Sequence, residues 1–406
     1  MTASPDDTSS YRRNVPLLGL AQGMFMTVQS MGTVTLPLAA LAMLEPKWHW
    51  LATMPLVLNH AGIMAVTIPA SLLMARIGRR WGFIIGAFLS MSFGLGGALA
   101  VWWQSFELLC AAAFLKGSAA AFAHYYRFAA ADVSPVALKP RAISYVMVGG
   151  VAAGFIGPEL AKFTVDWFAP ITFMGVFVAL SIVAAASLLV LQALSIPPLT
   201  ATEKAKGGRP LGEIARQPTF ITAVMSSMFG YAVMTLVMTS TPLAMVACGY
   251  GFRDTATVIQ WHIIAMFLPS FFTGRLIERF GVLPIIATGA LIELGCALVN
   301  LAGIDFWNFL IANVLVGLGW NFAYVGGTTL LTRTYEPVER AKVQAAHDTS
   351  VYATTATAAL MSGVMHAAAG WKVINVLTLP LMLSIVLATL WLAAKQRAAR
   401  LQPQQG

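Results

Sequence analysis

Two methionines four residues apart, Met234 and Met238, are followed by a histidine and a methionine at the same spacing, His262 and Met266. Side chains at i and i+4 share one face of a helix. Thioether sulfur and neutral imidazole form a soft, uncharged ligand set that suits Cu(I) better than Mg(II), Ca(II) or Mn(II). Taken singly, each of the chain's twenty methionines reads as flexible packing, and a lone histidine as a group bonded across helices. The metal reading rests on the two pairs together. Counted inward from the intervening loop, CGYGFRD, at about 1.5 Å per residue, Met238 and Met234 lie roughly 15–21 Å deep and His262 and Met266 roughly 12–18 Å deep, so the four can meet at one level.

Other polar groups extend this set. His60 and Met64 repeat the HxxxM spacing, each 202 residues before its counterpart. Met24, Met26 and Met31 stand where a strict MxxxM would complete that half, so His60 and Met64 read as auxiliary metal ligands or as packing. Cys248 is a third auxiliary candidate. With Cys110 and Cys296 it forms no CxxC, which excludes a disulfide framework and a zinc site. His347 and Asp348, beside Gln344, are a candidate relay for metal or protons, since ionisable residues inside spans default to function. Glu293 reads as a structural hydrogen bond, Glu159 and Lys162 as a pair, and Met361, Met365 and His366 as packing. His124, with Tyr125, Tyr126 and Arg127, lines an exit or anchors an interface.

These groups need a membrane scaffold. Of 406 residues, 58% are hydrophobic and 10% charged, well below the roughly 25% charged of soluble domains, and the mean hydropathy is +0.76. Apolar runs fall at 15–44, 51–74, 82–103, 106–131, 142–165 and 171–195, then at 218–247, 255–275, 282–302, 306–331, 343–368 and 371–394. Each is long enough to span a bilayer as a helix. The expected fold is all-α and polytopic: twelve transmembrane helices in two pseudo-symmetric six-helix bundles, 15–195 and 218–394. Residues 1–14 and 395–406 form tails, and the Pro- and Gly-rich stretch 196–217 is a cytoplasmic linker. Twenty of the 25 Lys and Arg residues fall on one side of this count, which puts both termini in the cytoplasm. The net charge of +9 therefore belongs to cytoplasmic loops and not to a nucleic-acid interface. The polar N-terminus runs into the first span without a cleavage pattern, so that span is read as retained.

The halves repeat. ARIGRRWG, with Arg76, Gly78, Arg79 and Arg80, is echoed by ERFG, with Glu278, Arg279 and Gly281, at an offset of 203 residues. Duplication of a six-helix unit is a secondary-transporter signature, with a midplane site and alternating access. No GxxxxGK[ST] loop points to an ATPase, and nothing points to an enzyme. Span five carries Gly150, Gly154, Gly157 and Pro158, a face suited to close packing.

The loop SLLMARIGRR resembles the Gly-x-x-x-Asp-Arg-x-Gly-Arg-Arg signature of the major facilitator superfamily, with Ser71 and Ala75 at the glycine and aspartate positions. The second copy, GRLIERFG, keeps Gly274, Glu278, Arg279 and Gly281; together these residues read as a cytoplasmic gate, in which a small residue brings helices close. Ala75 leaves the first-half charge relay without its acid. Within the superfamily, the paired MxxxM and HxxxM resemble the CcoA-like copper transporter family. That resemblance implies copper uptake, as Cu(I) or a small chelate, across a bacterial inner membrane to supply a cbb(3)-type cytochrome c oxidase. Copper is then substrate, no cofactor is permanently bound, and the partners are the lipid bilayer and a cytoplasmic copper chaperone or exporter. The alternative is an exporter or proton symporter of a small organic solute, in which Met and His are packing; a copper-sensing receptor is a third reading.

Overall fold

Lipid offers the backbone no hydrogen-bond partner, so each crossing segment must satisfy its own amides by coiling. The computed structural model describes residues 5–135, 138–196 and 208–401. Residues 197–207 of the expected linker, and the tail ends 1–4 and 402–406, lie outside the described residues. Helices run in the order α1 (Pro5–Met43), α2 (Met54–Ile77), α3 (Arg79–Trp103), α4 (Phe106–Ala123), α5 (Tyr126–Asp132), α6 (Lys139–Thr164), α7 (Met174–Gln192), α8 (Leu211–Ala215), α9 (Pro218–Ala247), α10 (Phe252–Phe267), α11 (Ser270–Phe280), α12 (Val282–Ala302), α13 (Phe306–Leu331) and α14 (Arg340–Leu401). Among the described residues, nine segments have the length and apolarity to cross a membrane, or ten with the bent pair α10 and α11. The expected twelve are reached because α14 is two spans divided at Gly370 (φ 77°), and because α6 occupies span five with Glu159 and Lys162 near its end.

The chain divides into two compact units, residues 1–201 with 245–263, and residues 202–244 with 264–406. The expected boundary kept all of spans seven and eight in the C-terminal bundle. Residues 245–263 instead group with the first unit through polar contacts at the end of α6. Lys162 Nζ donates to Glu159 Oε1 (2.6 Å), Thr257 Oγ1 (3.2 Å) and Gln260 Oε1 (3.2 Å), and Gln260 Nε2 donates to Phe155 O (3.3 Å).

Helices in lipid gain little from burying apolar stripes against each other, so small residues that allow close contact dominate their interfaces. In the first unit, α6 lies on α1 where a Cβ on Gly149 would come within 2.6 Å of Gly19 O. α2 crosses α4 at Gly62 and Gly117, where a Cβ on Gly117 would collide with the carbonyl oxygen of Asn59. That crossing buries Lys116 inside α4, its ammonium 3.5 Å from Asn59 Oδ1. In the second unit, α12 meets α13 at Gly289, whose Cβ would lie 2.7 Å from Gly319 O.

Proline and an amide set the bend of span eight. α10 ends at Phe267 and α11 starts at Ser270, with Pro269 between them and a 43° bend. Proline supplies no amide and breaks the helical ladder. Asn321 of α13 bridges the break, donating to Met266 O and Ser270 Oγ and accepting from Thr273 Oγ1, each at 2.7 Å.

The described end of the linker is fastened to the start of α14. Arg209 makes a forked contact with Glu339, Nη2 to Oε2 at 2.8 Å and Nε to Oε1 at 3.0 Å, and the Arg209 and Glu336 amides also donate to this carboxylate. Hydrogen bonds from the Arg209 side chain first, and from these amides, hold the Glu339 carboxyl down at about 2.

Two outcomes are predicted. Gly117→Val should lower the melting temperature or abolish folding in detergent, since overpacking costs about 1–3 kcal/mol or more, whereas Gly274→Ala, with no atom within 4 Å of the added Cβ, should leave melting unchanged or slightly raised. Because Glu339 is depressed in the folded protein, its stabilisation is complete above the ordinary value of 4.5 and is lost as pH falls toward about 2. Acid melting curves of Glu339→Gln should show a weaker pH dependence over that window.

Candidate functional site

The expected metal ligands are all placed in helices, but they do not form a set within either unit. Met234, Met238 and Met266 belong to the second unit and His262 to the first. Met234, His262 and Met266 are buried and Met238 is half-buried. Among the described residues, no three His, Cys, Asp or Glu side chains stand close enough to hold an ion. His60 Nδ1 donates to Leu56 O within its own helix (2.7 Å), and Met64 is exposed. Cys248 is exposed in the turn after α9. Met365 packs against the apolar cluster of Ala232, Leu236, Ala358 and Ile374, as expected.

The second unit gathers a different set. Tyr231 precedes Met234 and Met238 by three and seven residues, so α9 presents all three on one stripe. Trp320 and Tyr324, four apart on α13, stack with ring centroids 5.0 Å apart and planes 9° from parallel. The Tyr231 ring stands edge-on to both, at 5.3 Å from Trp320 and 5.4 Å from Tyr324. Phe267 closes on Trp320 at 6.3 Å, and His347 lies 6.4 Å from Tyr324. The indole Nε1 of buried Trp320 has no hydrogen-bond partner among the described residues. Tyr231 and Tyr324 keep partly exposed edges.

The expected relay pair does meet: buried His347 and exposed Asp348 are linked from Nδ1 to Oδ1 at 2.9 Å, and Gln344 Nε2 donates to Tyr335 OH at 3.0 Å. Joined to the rings through Tyr324, the pair extends one polar and aromatic wall. The sequence signal for this wall is Trp-x-x-x-Tyr in span ten, Trp320 and Tyr324 on one helix face.

The gate residues are redistributed. Gly78 (φ 88°) and Gly281 (φ 91°) make matching turns between α2 and α3 and between α11 and α12, in a left-handed region open chiefly to glycine. Their identity supports the duplication. Ala75 does not leave the first copy without an acid: Arg79 Nη2 reaches Asp132 Oδ2 of α5 at 2.5 Å, and Nη1 donates to Tyr125 O at 3.4 Å. Arg76 is exposed, and Arg80 lies over the Trp81 ring at 6.0 Å. In the better-preserved second copy, Glu278 and Arg279 are exposed, and the Arg279 guanidinium lies over Phe280 at 5.2 Å. Gly274 does not bring helices together, because nothing lies within 4 Å of its added Cβ.

The Major Facilitator Superfamily matches residues 50–268 and 244–406. The riboflavin transporter RfnT of Brucella anthropi is 37% identical over 97% of this chain and 98% of its own. The uncharacterized MFS-type transporter YddS of Bacillus subtilis is 28% identical over 82% of this chain and 79% of its own. Among solved structures, a bacterial homolog of the human lysosomal transporter Spinster, inward-facing and occupied, superposes with a TM-score of 0.70 at 16% identity, covering 97% of this chain and 98% of that one. The Escherichia coli fucose:proton symporter FucP gives 0.60 at 15% identity, covering 94% and 99%. The two structural likenesses concern the fold. These findings support the superfamily and give no support to the resemblance to its copper-transporting branch.

Asp132→Lys is predicted to weaken the joint between the start of α3 and α5 through like-charge contact with Arg79, and Arg79→Asp combined with it should restore part of the loss. The coupling expected for a half-exposed pair is about 1 kcal/mol or less, read as the non-additive part of a double-mutant melting cycle.

Proposed function

The chain belongs to the Major Facilitator Superfamily, and on that premise we propose that it is a secondary transporter of a small planar organic solute of the flavin class, riboflavin foremost, in place of copper. The observation that carries this reading is the wall of Tyr231, Trp320 and Tyr324 in the second unit. Its support outside the structure is the 37% identity to a riboflavin transporter along nearly the whole of both chains.

A tricyclic flavin ring is flat, weakly polar and edged with carbonyl oxygens and ring nitrogens. Aromatic faces bind such a ring by stacking and edge contacts, and the unpartnered Trp320 Nε1 supplies a donor for an edge carbonyl. The Met234 and Met238 thioethers then act as polarizable, adaptable walls beside the rings and not as metal ligands. Asp348, exposed and held by His347, offers an acceptor to the hydroxyl-bearing side chain of the solute. The reading keeps both termini cytoplasmic, from the distribution of Lys and Arg, and the bacterial inner membrane, from the family resemblance. The solute crosses without covalent change.

Radiolabelled riboflavin and copper, offered in parallel to cells with and without the protein, separate the two solutes. Riboflavin should accumulate with the protein and copper should not; copper accumulation without riboflavin accumulation would overturn the proposal. Trp320→Ala should raise the KM for riboflavin roughly fivefold, the equivalent of about 1 kcal/mol for a lost aromatic contact, and Trp320→Phe should restore part of it. Met234→Leu conserves volume while deleting sulfur, so riboflavin uptake should persist; copper transport would require the sulfur.

A further inference from the structure

Midway along α12, the carboxyl of Glu293 is fully buried, and neither of its oxygens has a hydrogen-bond partner among the described residues. The sequence expectation was a structural hydrogen bond, and the structure supplies none. Glycine makes the space for the side chain. A Cβ on Gly319 of α13 would lie 2.5 Å from Glu293 Cγ, and one on Gly230 of α9 would lie 3.8 Å from Glu293 Oε1. The carboxyl thus enters the seam where α9 and α13 adjoin, beside the residues that precede Tyr231 and Trp320 in the aromatic wall.

The seam holds other polar groups without partners. Ser227, one turn before Gly230 on α9, is buried against Gly327 of α13 with its hydroxyl unbonded. The Trp320 Nε1 is unbonded as well. A seam packed only for stability would carry apolar side chains here, because an unpaired buried polar group costs about 1–3 kcal/mol.

Among the described residues, no cation pairs with the carboxyl. α9 and α13 contain no Asp, Glu, Lys, Arg or His along their lengths, and their titratable groups near the seam are the Tyr231 and Tyr324 phenols. On α12 itself the titratable neighbour is Cys296, one turn on. α14 meets α12 through Asn375, which accepts from Asn300 Nδ2 at 2.8 Å; its His347 and Asp348 are engaged with each other, Lys372 is exposed and His366 half-buried. The Arg275, Glu278 and Arg279 side chains of α11 are exposed.

We propose that Glu293 is the carboxyl that binds and releases the proton coupled to transport. The inference rests on the transporter reading and not on the identity of the solute. The step balances as one carboxylate taking one proton from water on one side of the membrane and returning it to water on the other. The neutral acid fits the dry seam between α9, α12 and α13. The carboxylate requires water or a counter-charge, so loss of the proton favours an opened seam beside the aromatic wall. Protonation and access of the solute are thereby linked.

Two measurements test this. In purified protein, infrared difference spectra across a pH titration should show a protonated-carboxyl band that is absent in Glu293→Gln and shifted in Glu293→Asp; a wild-type spectrum unchanged by either substitution overturns the proposal. If the Gln variant does not reach the membrane, the Asp shift decides alone. In proteoliposomes, Glu293→Gln should lose accumulation of riboflavin driven by an imposed pH gradient while retaining counterflow exchange, and gradient-driven accumulation by this variant overturns the proposal. If the wild-type protein moves no riboflavin in either mode, the solute assignment fails, and the infrared result still decides Glu293.

Discussion

Close contact between helix backbones is the constraint on which the rest of this structure depends. Lipid is as apolar as a leucine side chain, so helices here gain little by hiding apolar stripes from their surroundings. They gain by fitting together, and glycine sets how closely they fit. Gly149 on Gly19, Gly117 on Asn59 and Gly289 on Gly319 are such contacts. Two of them also position a polar group. The α2 and α4 crossing buries Lys116 against Asn59, and the α12 and α13 crossing carries Glu293 toward α9. A larger residue at Gly117 or Gly289 would separate the helices and move the polar group with them.

Polar side chains do the remaining positioning, largely by satisfying backbone that the helices leave open. Asn321 bridges the Pro269 break in span eight with three hydrogen bonds, so the bend is braced by α13, the same helix that carries Trp320 and Tyr324. Glu339 collects Arg209 and two amides where the chain re-enters its second half. Lys162 joins the end of α6 to residues 257–260. These contacts divide spans seven and eight between the two units at points that no hydropathy pattern marks.

The duplicated loops show how evolution of a repeat separates shape from charge. Both copies preserve the glycine turn, with φ of 88° and 91° at Gly78 and Gly281. The ion pairing differs. The first copy lacks the acid within its own motif, yet Arg79 finds Asp132 from α5; the second keeps Glu278 beside Arg279, and both remain exposed. Spacing of methionine and histidine is open in a related way. A helical interval places side chains on one face, but thioether serves a metal ion and a flat aromatic solute alike, and neighbouring groups decide between them. Here Tyr231, on the same helix as Met234 and Met238, stands edge-on to Trp320 and Tyr324.

By itself the sequence determined the helices, because twelve apolar runs in a nonpolar solvent have one backbone solution. It also determined the duplication and the glycine turns, since an offset of 203 residues and a positive φ are written in local residue types. The pairing of His347 with Asp348 and of Lys162 with Glu159 was legible for the same reason: the partners are near in sequence. Tertiary structure alone decided that Asp132 replaces the acid missing at Ala75, that Lys116 meets Asn59, that Tyr231 meets Trp320 and Tyr324, and that the Glu293 carboxyl enters a glycine seam without a partner among the described residues. Each joins residues from helices distant in the chain, and helical periodicity specifies the face on which a side chain lies without specifying which helix will cover it.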